Sequence, residues 1–217
     1  MQTIGVLAPK GGVGKTTVSI HTAIKALESG RKVAIMDTDY PQGSMTKLCQ
    51  SRSSDDLIYL NPTTHNLDKA FKQARDEAVD LVIIDGTPKT SHNFQHYAPY
   101  CDLILSPMRT SRQDREAVGD TLSVIPMSVY DRLYFLLNHS RPKRKGVENT
   151  KTQQVREFLT ANDLRVCPVA LTGLTDYEDS LEFNQTVTEY NPKGTAATEI
   201  NELWHWIVEE LNNGKES

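Results

Sequence analysis

Hydrophobic positions along the chain follow two alternating rhythms. Short runs are apolar at consecutive positions, as in "LVIID" at 81–85 and "LYFLLN" at 133–138, and longer stretches between them repeat apolar residues every three to four positions. A strand apolar at every position has both sheet faces covered, and the longer 3.6-period segments supply the covering helices. The pattern predicts strands over 2–8, 32–37, 57–60, 81–85, 103–107, 133–138 and 166–171. Helices are predicted to open near Gly14, Ser44, Asn66, Ser91, Ser111, Asn149, Asp176 and Thr195. Strands alternating with helices make a doubly wound α/β architecture, a mostly parallel sheet flanked by helices on both faces. The expected organisation is a single domain over residues 1–217, with no internal repeat; "NHSRPKRKG" at 138–146 reads as a short basic linker.

Composition narrows the classes. With 217 residues and 38% hydrophobic content the chain can bury a sizeable core. No run approaches the ~20 apolar residues of a membrane-spanning helix, and no export signal opens the chain, so a cytoplasmic address without membrane attachment is expected. Cys49, Cys101 and Cys167 are far apart and never in a Cys-x-x-Cys pair, which argues against a disulfide framework or a zinc site. The net charge of −4 is unevenly spread: residues 1–108 balance, 109–165 carry +4 and 166–217 carry −8. The middle segment is the electropositive one.

The candidate chemistry begins directly behind the first strand, in "APKGGVGKTT" at 8–17. Gly11, Gly12 and Gly14 let the backbone curl so that successive amides point inward, and the helix opening at Gly14 or Lys15 adds the positive end of its dipole. The stretch reads as a phosphate-binding loop of residues Gly11, Gly12, Val13, Gly14, Lys15, Thr16 and Thr17, the alternative being a glycine turn with no ligand. Lys15 would reach the β- and γ-phosphates and the Thr16 hydroxyl would ligate Mg²⁺. The usual G-x-x-x-x-G-K-[ST] pattern has its first glycine where this chain has Pro9, so the loop is a deviant form. A metal-bound nucleotide calls for a carboxylate on a neighbouring strand, and Asp85 ends "DLVIID" where the sheet edge opens onto a ligand crevice. A strand-end aspartate can also cap a helix. Gly86, Thr87 and Pro88 after it form a loop able to sense the γ-phosphate. In "MDTDYPQG", Asp37 and Asp39 share one side if the strand stays extended, and either could orient the attacking water.

Together "KGGVGKTT", "DTDYPQG" and "DLVIIDGTP" resemble the ParA family of deviant Walker partition ATPases, which includes, more distantly, the MinD proteins. The resemblance runs to "EYNPKGTAATEINELWHWI" at the other end of the chain. It implies ATP and ADP as ligands with Mg²⁺, a catalytic trio of Lys10, Lys15 and Asp39, and metal ligation by Thr16, Asp37 and Asp85. In the family, the lysine matching Lys10 crosses to the partner subunit's ATP, which implies an ATP-dependent homodimer with the nucleotides sandwiched between subunits. A solvated surface lysine is the alternative for Lys10. The family's commoner pattern is Asp-x-Asp-Pro-Gln-Gly, whereas Tyr40 here separates Asp39 from Pro41. Asn138 resembles the asparagine that reads adenine in relatives; strand-end asparagines also form turns.

What the nucleotide would control is written in the basic residues. Arg109, Arg112 and Arg115 recur every three residues and are expected on one helical face, while Arg141, Lys143, Arg144 and Lys145 cluster after Asn138. Such patches suit sequence-independent binding to phosphate backbones, and the second cluster is the stronger candidate. The resemblance implies non-specific DNA binding by the ATP dimer, nucleoid association, and a ParB-like or other adaptor that stimulates an otherwise slow hydrolysis. The chain looks like the short form without an N-terminal helix-turn-helix. Its last helix carries mostly acidic charge, unlike a MinD-type membrane anchor, and none of the chain's three cysteines lies where the nitrogenase iron-protein branch has its cluster-ligating pair. The alternatives are a metabolic ATP-dependent synthetase or ligase of the same fold, and a MinD-like positioning ATPase.

Overall fold

A computed structural model of the chain describes residues 1–38, 52, 55–60 and 66–214. Its frame is a parallel sheet of β1 (Gln2–Val6), β2 (Val33–Asp37), β3 (Leu57–Leu60), β4 (Leu81–Asp85), β5 (Leu103–Met108), β6 (Leu133–Ser140) and β7 (Val166–Thr172). The spatial order is β3-β2-β4-β1-β5-β6-β7, so successive crossovers leave β1 in opposite directions and the chain's first turn sits at the switch point. Register places Val6 opposite Asp85 on one side and opposite Leu105 on the other.

Alternate residues of each strand feed different cores. Leu81 and Ile83 join a cluster under α1 (Lys15–Glu28) and the C-terminal helix, whereas Val82 and Ile84 join one built with Phe71, Phe94 and Tyr97 on the other face. That two-sided burial is why β4 is apolar at every position from Leu81 to Ile84. The remaining helices are α2 (Leu67–Asp76), α3 (Phe94–Tyr97), α4 (Arg112–Glu116), α5 (Val118–Val124), α6 (Thr150–Ala161), α7 (Asp176–Glu182), α8 (Val187–Tyr190) and α9 (Thr195–Asn213). The apolar stripe of α9, with Leu203, Trp204, Ile207 and Leu211, is buried in the first cluster.

Two expectations change. The helix near Ser91 is a single turn, α3, between 3₁₀ segments at Pro88–Asn93 and Ala98–Tyr100, because Pro88 and Pro99 limit what an α-helix can extend through. The basic linker is instead the end of β6 followed by a tight hairpin: Arg144 and Val147 pair, and Lys145 and Gly146 take φ of 51° and 79° at its tip. Two consecutive positive φ values are the signature of a two-residue turn matched to strand twist. The helix expected near Ser44, together with Cys49, lies outside the described residues. Among the described residues no helix is long and apolar enough to cross a membrane.

Candidate nucleotide site

The loop between β1 and α1 is shaped by glycine and held from several sides. Gly12 and Gly14 have φ of 68° and 91°, which turn the chain into a left-handed curl that side chains disfavour. A Cβ on Gly14 would also stand 2.1 Å from Asn138 Nδ2. Gly14 is the helix N-cap and offers no side-chain acceptor, so the first-turn amides of α1 stay available to an anion.

Three carbonyls of the loop each accept a different side chain. Lys15 Nζ donates to the Lys10 carbonyl at 2.8 Å, Arg109 Nη2 to Gly12 at 2.6 Å, and Asn138 Nδ2 to Val13 at 2.8 Å. The loop is therefore preorganised by hooks from α1 and from the exits of β5 and β6. Arg109 is not on a helical face with Arg112 and Arg115. Ser111 is the extended N-cap of α4, so Arg109 lies upstream on the strand exit, where it reaches the loop; Arg112 pairs with Glu116. Asn138 is buried, its Oδ1 accepting from the His139 amide. An amide has a second donor and a second lone pair, so both engagements leave capacity for one more partner at each end.

Lys15 is 6% exposed, and burial lowers its ammonium to about 8 against the attraction of Asp85. Asp85 accepts from Thr16 Oγ1 at 2.7 Å and from Ser19 Oγ at 2.9 Å. Burial pushes its carboxyl up to about 7; the two hydroxyls oppose the shift, and the neighbouring Asp37 adds to it. Asp37 is the register partner of Asp85 and is buried as well. Two buried carboxylates beside a threonine hydroxyl are a set of hard oxygen donors that suits Mg²⁺, which typically takes one or two carboxylates and leaves its other positions to water and phosphate. Among the described residues there is no group of three or more His, Cys, Asp or Glu that would make an all-protein metal cage.

Thr38, just beyond β2, ties the two carboxylate strands together. Its Oγ1 donates to the Asp85 carbonyl at 2.9 Å and accepts from the Thr87 amide at 2.8 Å. Pro88 follows, its ring 4.0 Å from where a Cβ on Gly11 would stand. The turn after β4 thus packs against the loop between β1 and α1. Asp39 lies outside the described residues, as do Tyr40 to Gly43. Lys10 is not a solvated surface lysine but is paired: its Nζ is 2.7 Å from Asp114 Oδ1. Sequence pattern had not singled out Ser19, Thr38 or Asp114. Only Ser19 left a signal, a polar residue one turn beyond Thr16 on the same helix face.

Residues 4–205 match the family described as the CobQ/CobB/MinD/ParA nucleotide binding domain. The chain belongs to that family. Among curated ParA/MinD relatives, it is 27% identical over 154 residues to the chromosome-partitioning ATPase Soj of Thermus thermophilus, covering 58% of this chain and 61% of Soj. It is 22% identical over 214 residues to the maintenance of carboxysome distribution protein A of Halothiobacillus neapolitanus, covering 95% and 96% of the two chains. Apo McdA from Cyanothece shares the fold with a TM-score of 0.72 at 16% identity, over 97% of this chain and 99% of that one. The doubly wound fold and the ParA/MinD resemblance read from sequence therefore hold.

Proposed function

We propose that this protein is an ATP-dependent partition or cargo-positioning ATPase, in which ATP closes a sandwich homodimer that binds DNA without sequence preference. Hydrolysis, stimulated by a ParB-like or other adaptor, returns the monomer and releases the DNA. The observation that carries this reading is the division of labour between the loop's two lysines. Lys15 lies inside the loop, while the Lys10 ammonium is outside it and 37% of its side chain is exposed. One lysine suffices for a nucleotide bound in cis, so the second is available to one bound by another subunit. The likeness to Soj and to the carboxysome distribution protein supports a positioning role.

In this reading the Gly11–Thr17 amides and Lys15 hold the phosphates, and Thr16, Asp37 and Asp85 hold Mg²⁺. When bound, the ion would neutralise charge on the β- and γ-phosphates. Thr16 exchanges its hydrogen bond to Asp85 for that role, and Lys15 leaves the Lys10 carbonyl for the phosphates. Asp39 orients the attacking water. Asn138 keeps Val13 in place and uses its remaining donor and acceptor on the adenine edge. The exposed hairpin cations Arg141, Lys143, Arg144 and Lys145 meet the DNA backbone, giving a cytoplasmic, nucleoid-associated protein. Differential affinity of monomer and dimer for ATP over ADP makes the nucleotide a switch.

The test is sedimentation and fluorescence anisotropy with duplex DNA of arbitrary sequence, with ATP, ADP or no nucleotide, at low and moderate salt. Dimerisation and salt-sensitive DNA binding with ATP alone are expected, both lost in Lys15→Ala. DNA binding indifferent to nucleotide would sink the switch.

A further inference from the structure

The second lysine of the loop is held by a residue that no phosphate-loop pattern contains. Lys10 Nζ lies 2.7 Å from Asp114 Oδ1, and the Asp114 side chain is 2% exposed. The other carboxylate oxygen accepts from Ser111 Oγ, which in turn accepts from the Asp114 amide as the cap of α4. Burial raises this carboxyl, but the hydrogen bonds from Lys10 and Ser111 outweigh it and hold Asp114 below the usual carboxylate range. A buried, ionised carboxylate therefore meets Lys10 on one oxygen, with the Ser111 hydroxyl on the other and the Arg109 backbone beside it.

The chemistry decides what happens when Lys10 meets a phosphate. If the ammonium left, Asp114 would be stranded as a buried unpaired charge, which costs more than a single new hydrogen bond to phosphate returns. An ammonium has three N–H donors. Lys10 can keep Asp114 and still offer the others outward. A long, flexible side chain fixed before the encounter also loses less rotamer freedom in it.

We propose that Asp114 is a positioning residue that braces Lys10, holding its ammonium at the loop edge so that its remaining donors meet an anion arriving from outside. That anion is the partner subunit's nucleotide, and this part of the inference rests on the sandwich-dimer reading. Asp114 is a brace and not a latch: freeing Lys10 from it impairs assembly.

The experiment compares wild type with Asp114→Asn, Lys10→Met and the double variant; asparagine keeps the size and the acceptor that Ser111 uses. In the nucleotide-free protein, acetylation of Lys10 by an N-hydroxysuccinimide ester, followed by mass spectrometry, is expected to be at least about five-fold faster in Asp114→Asn, since a paired ammonium is shielded. Equal rates overturn the brace, whatever the protein does with ATP. With ATP, Asp114→Asn is expected to raise the protein concentration at half-dimerisation about ten-fold, with the monomer's affinity for a fluorescent ATP analogue unchanged. The double variant should dimerise no worse than Lys10→Met alone, and should melt at a higher temperature because the stranded carboxylate is gone. Additive losses, or tighter dimerisation in Asp114→Asn, overturn the proposal. If wild type stays monomeric with ATP, the dimer reading falls and the labelling rates alone judge Asp114.

Discussion

The phosphate loop and the 141–147 hairpin stand at the same edge of the sheet and are both rich in cations, yet they use them in opposite ways. Around the loop each cation has a protein acceptor: Lys15 the Lys10 carbonyl, Arg109 the Gly12 carbonyl, Lys10 the Asp114 carboxylate. On the hairpin Arg141, Lys143, Arg144 and Lys145 are exposed and have no ion-pair partner among the described residues. Held cations suit a ligand whose phosphates arrive at one place. Solvated cations suit a polyanion that binds in many registers, where the gain comes from released counterions and not from fixed geometry.

The sharpest way to strain this contrast is to titrate the carboxylate that the loop buries. The folded chain keeps a proton on Asp85 up to about pH 7, whereas an unfolded chain loses it near 4. Relative to this group, the nucleotide-free protein is therefore most stable below about pH 4, loses stability as pH rises through about 7, and is level above that. The whole change is on the order of 4 kcal/mol. Denaturant titrations across pH 4–8 should show this slope in wild type and lose it in Asp85→Asn, which should be the more stable protein at pH 8. Removing a hairpin charge should leave the slope intact.

Next in size is Lys15→Ala. It should weaken binding of a fluorescent ATP analogue by at least about 100-fold, about 3 kcal/mol, while the hairpin keeps whatever nucleotide-independent affinity for DNA it has. Replacing Lys143 and Lys145 with glutamate is expected to do the reverse. DNA affinity should fall about ten-fold or more, and the dependence of log K on log salt should become shallower by about two, with nucleotide affinity untouched. If the salt slope is unchanged, the two regions are not divided as argued. The smallest effect is Gly146→Ala, which forces a Cβ onto a φ of 79° and should cost about 1 kcal/mol without altering nucleotide binding.

Much of this frame was legible in the residues because it follows local rules. Consecutive apolar positions at 81–85 and 133–138 demanded a sheet covered on both sides, and glycines before Lys15 demanded a loop curled at a helix start. The misread parts depend on where the chain goes next. Arg109, Arg112 and Arg115 share helical spacing, but Ser111 caps the helix between them, so the arginine outside it meets Gly12, 97 residues earlier. The partnership of Lys10 with Asp114 spans 104 residues and leaves no periodic trace. The turn "KGV" after Arg144 carried its own signal, a glycine at the second position of a two-residue hairpin, hidden by reading the stretch for charge alone.

The hydroxyl of Thr38 offers an unplanned window onto the site. Because the Thr87 amide donates to it across two strands, that amide's chemical shift and its exchange with solvent report on the exit of β2 from a residue located on the exit of β4. A single assigned resonance would then register events at one switch segment while belonging to the other, and a Thr38→Val chain, which keeps the shape but deletes the acceptor, would silence it.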